Sequence, residues 1–463
     1  MKTRKDLLLV ALLVAFALVL SACARPTEVV EEAAPTEVVE EATPEEAAPT
    51  EVIEEATPEE EAIEIVYMRQ AEGIDLELEL VEEFNATHPN IHVSVDSVPA
   101  EDNYSKLVLT TEAGNPPDVY STYFTLGAAT NGLALDLTEF IEAEGQAWFE
   151  SLSENGWIFH YYAGSYYAVP WRVAPSMTIL NTNLLEKAGL EVPTEWTWDD
   201  FVEYAKAMTN PDEDEYGFCI MGSAEDPGTD YQFYPFLFEA GGVMIGEDGL
   251  AAFDSTAGAE ALQYLSDLIH VHKVVPPGTT SATANTCIDL LAADKVGMWT
   301  NASLWRGFIR AAYPDADITV APLPVGKTAG ALIGGTGFGI SPLSEHPEAA
   351  WEFIKFMVAE DNVRRWSTAW DFTPPNVSLL EDPDYVAEDP ERGRVAYAML
   401  NQTMYPLSHY PENFNLESVL RSYIQAVYLE EMTPEEALAA AAAEWDPVLE
   451  QYVADDWWGA WLR

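Results

Sequence analysis

The sequence predicts an α/β fold divided into at least two units, carried behind an export signal and a solvated stalk. Three observations predict it. From position 63 onward, stretches with a two-residue apolar period exchange with stretches of 3.6-residue period, the pattern of strands alternating with helices in a parallel sheet. The 401 residues after position 62 exceed what one hydrophobic core usually serves, so they are expected to divide. Apolar residues make up 48% of the chain and aromatic residues 11%, ample for more than one core.

Residues 1–22 read as a cleaved signal. Lys2, Arg4 and Lys5 form a basic start, Leu7 to Leu20 an apolar run, and Leu20-Ser21-Ala22-Cys23 a lipobox. The run is short for a membrane span, and small residues before a cysteine suit peptidase cleavage. Cleavage would leave Cys23 as a lipid-bearing N-terminus, so the chain is expected outside the cytoplasm, held to the cell membrane through that lipid only. A stalk follows through residue 62. Pro-Thr-Glu-Val-Val-Glu-Glu-Ala stands at 26–33 and 35–42 and returns with isoleucine at 49–56. Its prolines interrupt any helix, its glutamates repel one another, and it has no apolar face long enough to bury.

Residues 1–62 hold 4 Lys and Arg against 15 Asp and Glu, and the remaining 17 and 64 leave the folded part with a net charge of −47. A field of that sign repels nucleic acid and anionic lipid heads, which argues against both as partners. Beyond Cys23 only Cys219 and Cys287 remain. They could pair in an oxidising compartment, yet Cys219 sits in the apolar run Tyr216 to Met221 and reads as a buried strand residue, so the bond stays open. Two distant cysteines build no metal framework.

Along the folded part, Ile63, Ile65 and Tyr67 mark a first strand, Leu76, Leu80 and Phe84 one face of a helix ended by Pro89, and Ile91, Val93 and Val95 a second strand. Thr197-Trp198-Asp199-Asp200 has a capping residue with an acid three positions later, ahead of Phe201, Tyr204, Ala205 and Met208 at helical spacing. Pro347 and Pro434 each open a further helix, proline being suited to a first turn.

The order of landmarks resembles the family 1 extracellular solute-binding proteins, the receptors of sugar ABC importers. The resemblance rests on Gly114-Asn115-Pro116-Pro117-Asp118-Val119, Gly132 to Leu137, Tyr166-Tyr167-Ala168-Val169-Pro170, Ile179 to Gly189, Glu239-Ala240-Gly241-Gly242, Phe253-Asp254-Ser255, Ala293 to Met298 and Pro347 to Phe353. Each motif alone is weak, but the ordered set spans nearly all of the chain after the stalk. It implies a periplasmic-binding-protein-like fold, two α/β lobes with a hinge and a ligand cleft between them. By the resemblance, residues 63–170 and 306–335 form the first lobe and residues 171–305 and 336–463 the second, with hinges at Pro170, Asn301, Gly334 and Gly335. It further implies a monomer that hands a carbohydrate to ABC transporter permease subunits, without cofactor, metal or catalysis.

A sugar offers apolar faces and hydroxyl edges, so its site needs aromatic platforms with fixed donors and acceptors. The candidates stand near crossovers and strand ends: Tyr120 and Tyr123 after Pro117-Asp118, Trp171 and Arg172 after the first crossover, and Trp299 and Trp305 around the second. Tyr231 falls where maltodextrin-binding proteins carry an aromatic that stacks on glucose, and Trp305, or Leu304 by a slip of one, falls near another. Two departures separate the chain from those relatives: Thr122 beside Tyr123 replaces one tryptophan, and Glu417 stands where a late helix carries another. The sugar is therefore left open.

Enzyme motifs are missing: there is no His-Glu-x-x-His, no Gly-x-Ser-x-Gly and no phosphate-binding loop. Gly335-Thr336-Gly337-Phe338-Gly339 reads as a crossover, and His270-Val271-His272 as a surface pair at a helix end. Paired carboxylates of a glycoside hydrolase remain an alternative that only their separation can decide. A bilobal receptor for a peptide, polyamine, osmolyte or ferric ion is the other alternative. The tandem tyrosines 161–162 and 166–167 would serve iron, but neighbours on a strand point to opposite faces.

Overall fold

The computed structural model describes residues 62–453 apart from 72–74, 371 and 407–412, all within the unit Glu60–Arg463. The expected signal, Cys23 and nearly all of the expected stalk lie outside the described residues. The predicted opening forms as strand, helix, strand. β1 (Ile63–Gln70) buries Ile65 and Tyr67, α1 (Asp75–Thr87) turns Leu80, Val81 and Phe84 inward, and β2 (Ile91–Val98) pairs parallel with β1 along its whole length. Helix α2 (Ala100–Glu112) returns the chain to β3 (Val119–Thr122), parallel on the other edge of β1.

β4 (Val169–Asn181) is buried at all 13 positions, as a strand covered on both faces must be. The predicted capping box opens α3 (Trp198–Ala207): Thr197 Oγ1 accepts from Asp200 N–H, and the Asp200 carboxylate accepts from Thr197 N–H. β5 (Tyr216–Phe218), α4 (Gly228–Glu239), α5 (Thr256–His270), α6 (Ala284–Ala292) and β6 (Val296–Ala302) follow. Next come α7 (Trp305–Ala312), β7 (Ile318–Ala321), β8 (Gly330–Ile340), α8 (Pro347–Met357) and α9 (Glu360–Trp370). α10 (Pro390–Asn401), β9 (Thr403–Pro406), α11 (Asn413–Tyr428) and α12 (Pro434–Val453) end the principal elements. The two helices expected at Pro347 and Pro434 are both present.

The strands join in the order β2-β1-β3-β8-β4-β6-β5, with β7 beside β4 and β9 beside β8. Two long antiparallel neighbours, β4 and β8, run between two cores. β4 places Val169 and Trp171 among the side chains of β1, α1 and α8, then Val173, Met177 and Ile179 among those of α6, β6 and β7. β8 runs the opposite way, with Ala331 and Ile333 in the latter core and Phe338 and Ile340 in the former. The register between them shifts at Thr336/Gly337, beside Pro170, so the glycine-rich run is a crossover as read. A Cβ on Gly335 would stand 2.3 Å from Arg172 O, so only glycine lets the two strands approach there.

Packing reassigns two stretches. Ile309, Ile318, Val320 and Ile333 join the core of β6, not that of β1, although 306–335 was expected in the first lobe. Ala350, Phe353, Ile354, Trp366 and Phe372 pack with β1 and α1, although 336–463 was expected in the second. Nor does the chain cross at Asn301, since α7 and β7 stay beside β4's second half. It crosses again past Phe372, where Thr373 bridges to Val173 and Leu380 enters the β6 core. Strand pairing decides these allotments, and the order of motifs along a chain does not reveal it.

Candidate ligand cleft

Where β4 and β8 cross, a cleft of about 680 Å³ opens between the two cores. Its first wall comes from the carboxyl ends of strands, where open α/β sheets place their ligands. Gln70 ends β1, Tyr123 follows β3, and Arg172 lies on β4, with Trp370 and Phe372 beside them. Val173, Ala174 and Gly334 to Thr336 form the floor. The second wall carries the Asp226-Pro227-Gly228 turn, Tyr231 from α4, Asn285 from α6, Asn301 from β6, and Leu304, Trp305 and Phe308 at the start of α7.

Four of the seven expected binding residues meet here: Tyr123, Arg172, Tyr231 and Trp305. The other three are core residues. Tyr120 is fully buried with its hydroxyl donating to Leu133 O at 3.2 Å. Trp171 packs 4.6 Å from Phe338 and 4.7 Å from Trp366 between ring centroids. Trp299 is sealed in the β6 core, 5.9 Å from Trp305. Alternation explains Trp171, because its neighbour Arg172 faces the cleft. Of the expected hinge residues, Asn301, Gly334 and Gly335 also line the cleft. The tyrosines at 161–162 and 166–167 do not.

Arg172 organises the first wall. Its Nε donates to Thr336 Oγ1 and its Nη2 to Gln70 Oε1, while its Cζ lies 4.9 Å from the Trp171 ring and 5.0 Å from that of Phe372. Since arginine can only donate, the bond fixes the Gln70 amide with its oxygen toward Arg172. Gln70 Nε2 is left buried without a partner, at the cleft wall. A ligand oxygen would satisfy it. Behind it, Glu77 is buried between the Tyr67 hydroxyl at 2.5 Å and Arg69 Nε at 3.4 Å, and burial raises its carboxyl above the usual range.

In the second wall Ser176 Oγ donates to Tyr231 Oη at 3.4 Å, and burial pushes the Tyr231 phenol up to about 12, so it stays a neutral donor. The Asp226 carboxylate accepts from Gly228 N–H at 2.7 Å and Ala284 N–H at 3.2 Å, tying the entries of α4 and α6 together. Cys219 and Cys287 form a disulfide that joins the same two segments, which answers what the sequence left open. Glu417 lies outside the cleft, buried against Tyr234. Sequence reasoning missed Gln70, Asp226, Asn285, Phe308, Trp370 and Phe372. Only Gln70 carried a usable signal, as the last residue of a strand beside Tyr123.

A family model of the bacterial extracellular solute-binding proteins matches residues 72–364. The chain belongs to that family. Among curated relatives of this solute-binding protein, the arabinooligosaccharide-binding protein of Halalkalibacterium halodurans is 27% identical over 49% of this chain and 51% of its own. The multiple sugar-binding protein of Streptococcus mutans is 23% identical over 66% of this chain and 73% of its own. An ABC substrate-binding protein from Listeria monocytogenes, solved with cycloalternan, superposes with a TM-score of 0.70 at 24% identity, over 84% of this chain and 100% of that one. The cyclic α-maltosyl-1,6-maltose binding protein of Arthrobacter globiformis gives 0.74 at 22% identity, with the same coverage. The fold is thus periplasmic-binding-protein-like, two α/β lobes with a hinge and an interlobe cleft. Among the described residues no helix is long and apolar enough to cross a membrane, and no group of three His, Cys, Asp or Glu could hold a metal.

Proposed function

We propose that this chain is the receptor of an ABC importer and that it captures a neutral sugar or oligosaccharide in the cleft between β4 and β8. The observation that carries the reading is the cleft's lining: aromatic rings on both walls, Tyr123, Trp370 and Phe372 against Tyr231, Trp305 and Phe308, around a Gln70 amide whose nitrogen has no partner among the described residues. Rings cover the apolar faces of a sugar, and fixed donors and acceptors read its hydroxyls. The relatives named for arabinooligosaccharides and multiple sugars support the same class.

In this reading the first lobe is residues 63–171 with 337–372 and the second 173–335 with 377–453. A ligand touching both walls favours the closed form, because only that form offers both sets of contacts. Signal cleavage leaves lipid on Cys23, the stalk holds the lobes away from the membrane, and the closed receptor delivers its ligand to the permease. Catalysis plays no part in it.

A thermal-shift screen of the soluble chain tests the ligand class, since a ligand that binds only the native state raises the melting temperature. Maltotriose, arabinotriose or mannitol is expected to raise it. A response confined to peptides, polyamines or ferric iron would reject the sugar. For the anchor, Cys23→Ser is expected to leave a folded protein without lipid, and unchanged membrane attachment at unchanged processed mass would reject that.

A further inference from the structure

Behind the second wall, α11 presents Glu417, Arg421 and Gln425 at spacings of four, on one face of the helix. None of the three lines the cleft; Arg421 and Gln425 hold backbone that leads into its wall. Gln425 Nε2 donates to Gly222 O at 3.0 Å and to Thr280 O at 2.7 Å. Arg421 Nε donates to Ala224 O at 3.3 Å, and its Nη1 lies 3.3 and 3.4 Å from the two oxygens of Asp230. The first segment leads directly into the Asp226-Pro227-Gly228 turn and Tyr231, the second into Ala284 and Asn285. One helix face thus reaches both strips of the wall from behind.

The joint has an unusual charge count. Asp230, Glu417 and Arg421 are 1%, 8% and 7% exposed, and Tyr234 from α4 is buried with them. Tyr234 Oη lies 3.1 Å from Asp230 Oδ2 and 3.2 Å from Glu417 Oε1, while Arg421 Nη1 is 4.0 Å from Glu417 Oε2. A phenol donates one hydrogen, so it cannot serve two ionised carboxylates at once. Among the described residues, two buried carboxylates facing one guanidinium also leave one negative charge unanswered. One additional proton resolves both problems: Glu417 donates to Tyr234, Tyr234 donates to Asp230, and Arg421 answers the charge on Asp230. Burial accordingly raises both carboxyls, Asp230 to about 6.

We propose that α11 is the positioning element of the cleft, with Gln425 and Arg421 holding segments 222–228 and 280–285 in place and one proton shared by Asp230, Tyr234 and Glu417 keeping the grip intact. This deepens the ligand reading and rests on the cleft being the ligand site. When the shared proton leaves at high pH, the two carboxylates repel across the α4–α11 contact and the wall loosens.

Hydrogen exchange on the soluble, ligand-free chain tests it, with protection corrected for the intrinsic pH dependence. Gln425→Leu is expected to lower protection of amides 222–228 and 280–287 by about fivefold or more at pH 6 and pH 9, as losing one or two hydrogen bonds would, while β1 and α1 keep theirs. The unaltered chain should lose protection there between pH 6 and pH 9. Glu417→Gln, whose amide donates to Tyr234 as the protonated acid does, should not. Unchanged protection in Gln425→Leu overturns the positioning role, and a pH loss that persists in Glu417→Gln overturns the shared proton. If Gln425→Leu fails to fold, Gln425→Asn, one methylene too short, carries the same test. Calorimetric titration with maltotriose, arabinotriose and mannitol separates the two readings. An unaltered chain that binds none of them counts against the sugar alone, and exchange still decides the clamp. If one binds, Gln425→Leu should weaken it about fivefold or more, and undiminished affinity overturns the positioning role.

Discussion

Tyr231 and Trp305 differ from Trp171 and Trp299 in a way that mutation can read: the first two border open space, while the last two are enclosed by side chains. Truncating Tyr231 or Trp305 to alanine removes ring contact with a ligand, worth about 0.5–1.5 kcal/mol beyond lost burial, so affinity should fall about tenfold or more while the melting temperature moves little. Truncating Trp171 or Trp299 should instead cost about 3–5 kcal/mol of stability. Parallel titration and melting of the four variants checks this, and normal affinity with a collapsed melting temperature for Tyr231→Ala would place it in the core. Two neighbouring glycines give a second contrast. A Cβ on Gly334 meets nothing within 4 Å, whereas one on Gly335 would stand 2.3 Å from backbone. Gly334→Leu should therefore obstruct the cleft and abolish binding in a stably folded protein, and Gly335→Ala should destabilise by about 1–3 kcal/mol. Equal melting temperatures for the two would refute the assignment of 334 to the open side.

Elements deliver these residues, and the disulfide shows how. Cys219 leaves β5 and Cys287 lies on α6, 68 positions apart, and both segments run on into the second wall. Closing a loop of that length restricts the unfolded chain by about 4 kcal/mol. Reduction, or the paired change Cys219→Ala with Cys287→Ala, should lower denaturant stability by about 2–4 kcal/mol and weaken ligand binding as well. Indifference of both to reductant, with free thiols confirmed by labelling, would count against it. The helices and strands that compose this wall were readable from periodicity and caps, as the Thr197 box and the prolines at 347 and 434 show. Which of the central strands pair was not, because β3 with β8, β8 with β4 and β4 with β6 join segments more than a hundred residues apart.

At the scale of the molecule, charge dominates. With a net charge of −47 on the folded part, self-repulsion opposes the folded state. Salt shortens the screening length from about 10 Å at 0.1 M to about 3 Å at 1 M, so the melting temperature should rise with sodium chloride. Burial also raises the carboxyls of Glu77, Asp230, Glu239 and Glu417. These groups bind protons more tightly folded than unfolded, so their contribution to stability falls as pH rises. Melting temperature should climb as pH is lowered from 8 to about 5.5. It should drop again below about 4, where Glu83, Glu144 and Asp382, held low by Arg365, Lys355 and Arg364, lose their charge. Glu239→Gln should flatten the climb; a pH profile identical to the parent's would show that Glu239 does not titrate in this range. Closure is read by small-angle scattering, with a smaller radius of gyration expected at saturating sugar and an equal radius arguing for a rigid scaffold.

The sequence by itself determined the α/β alternation, the capped helices, the family and the general position of the cleft near the crossovers, because these depend on local periodicity and on motif order. It could not separate platform from core among aromatics on covered strands, where adjacent residues take opposite faces and one step of register exchanges Trp171 for Arg172. Tertiary structure decided that, along with the allotment of 306–335 and 336–372, the pairing of Cys219 with Cys287, and the orientation of the Gln70 amide. Each of these depends on what stands across a contact from distant sequence, and the hydrophobic pattern of one segment carries no record of its partner.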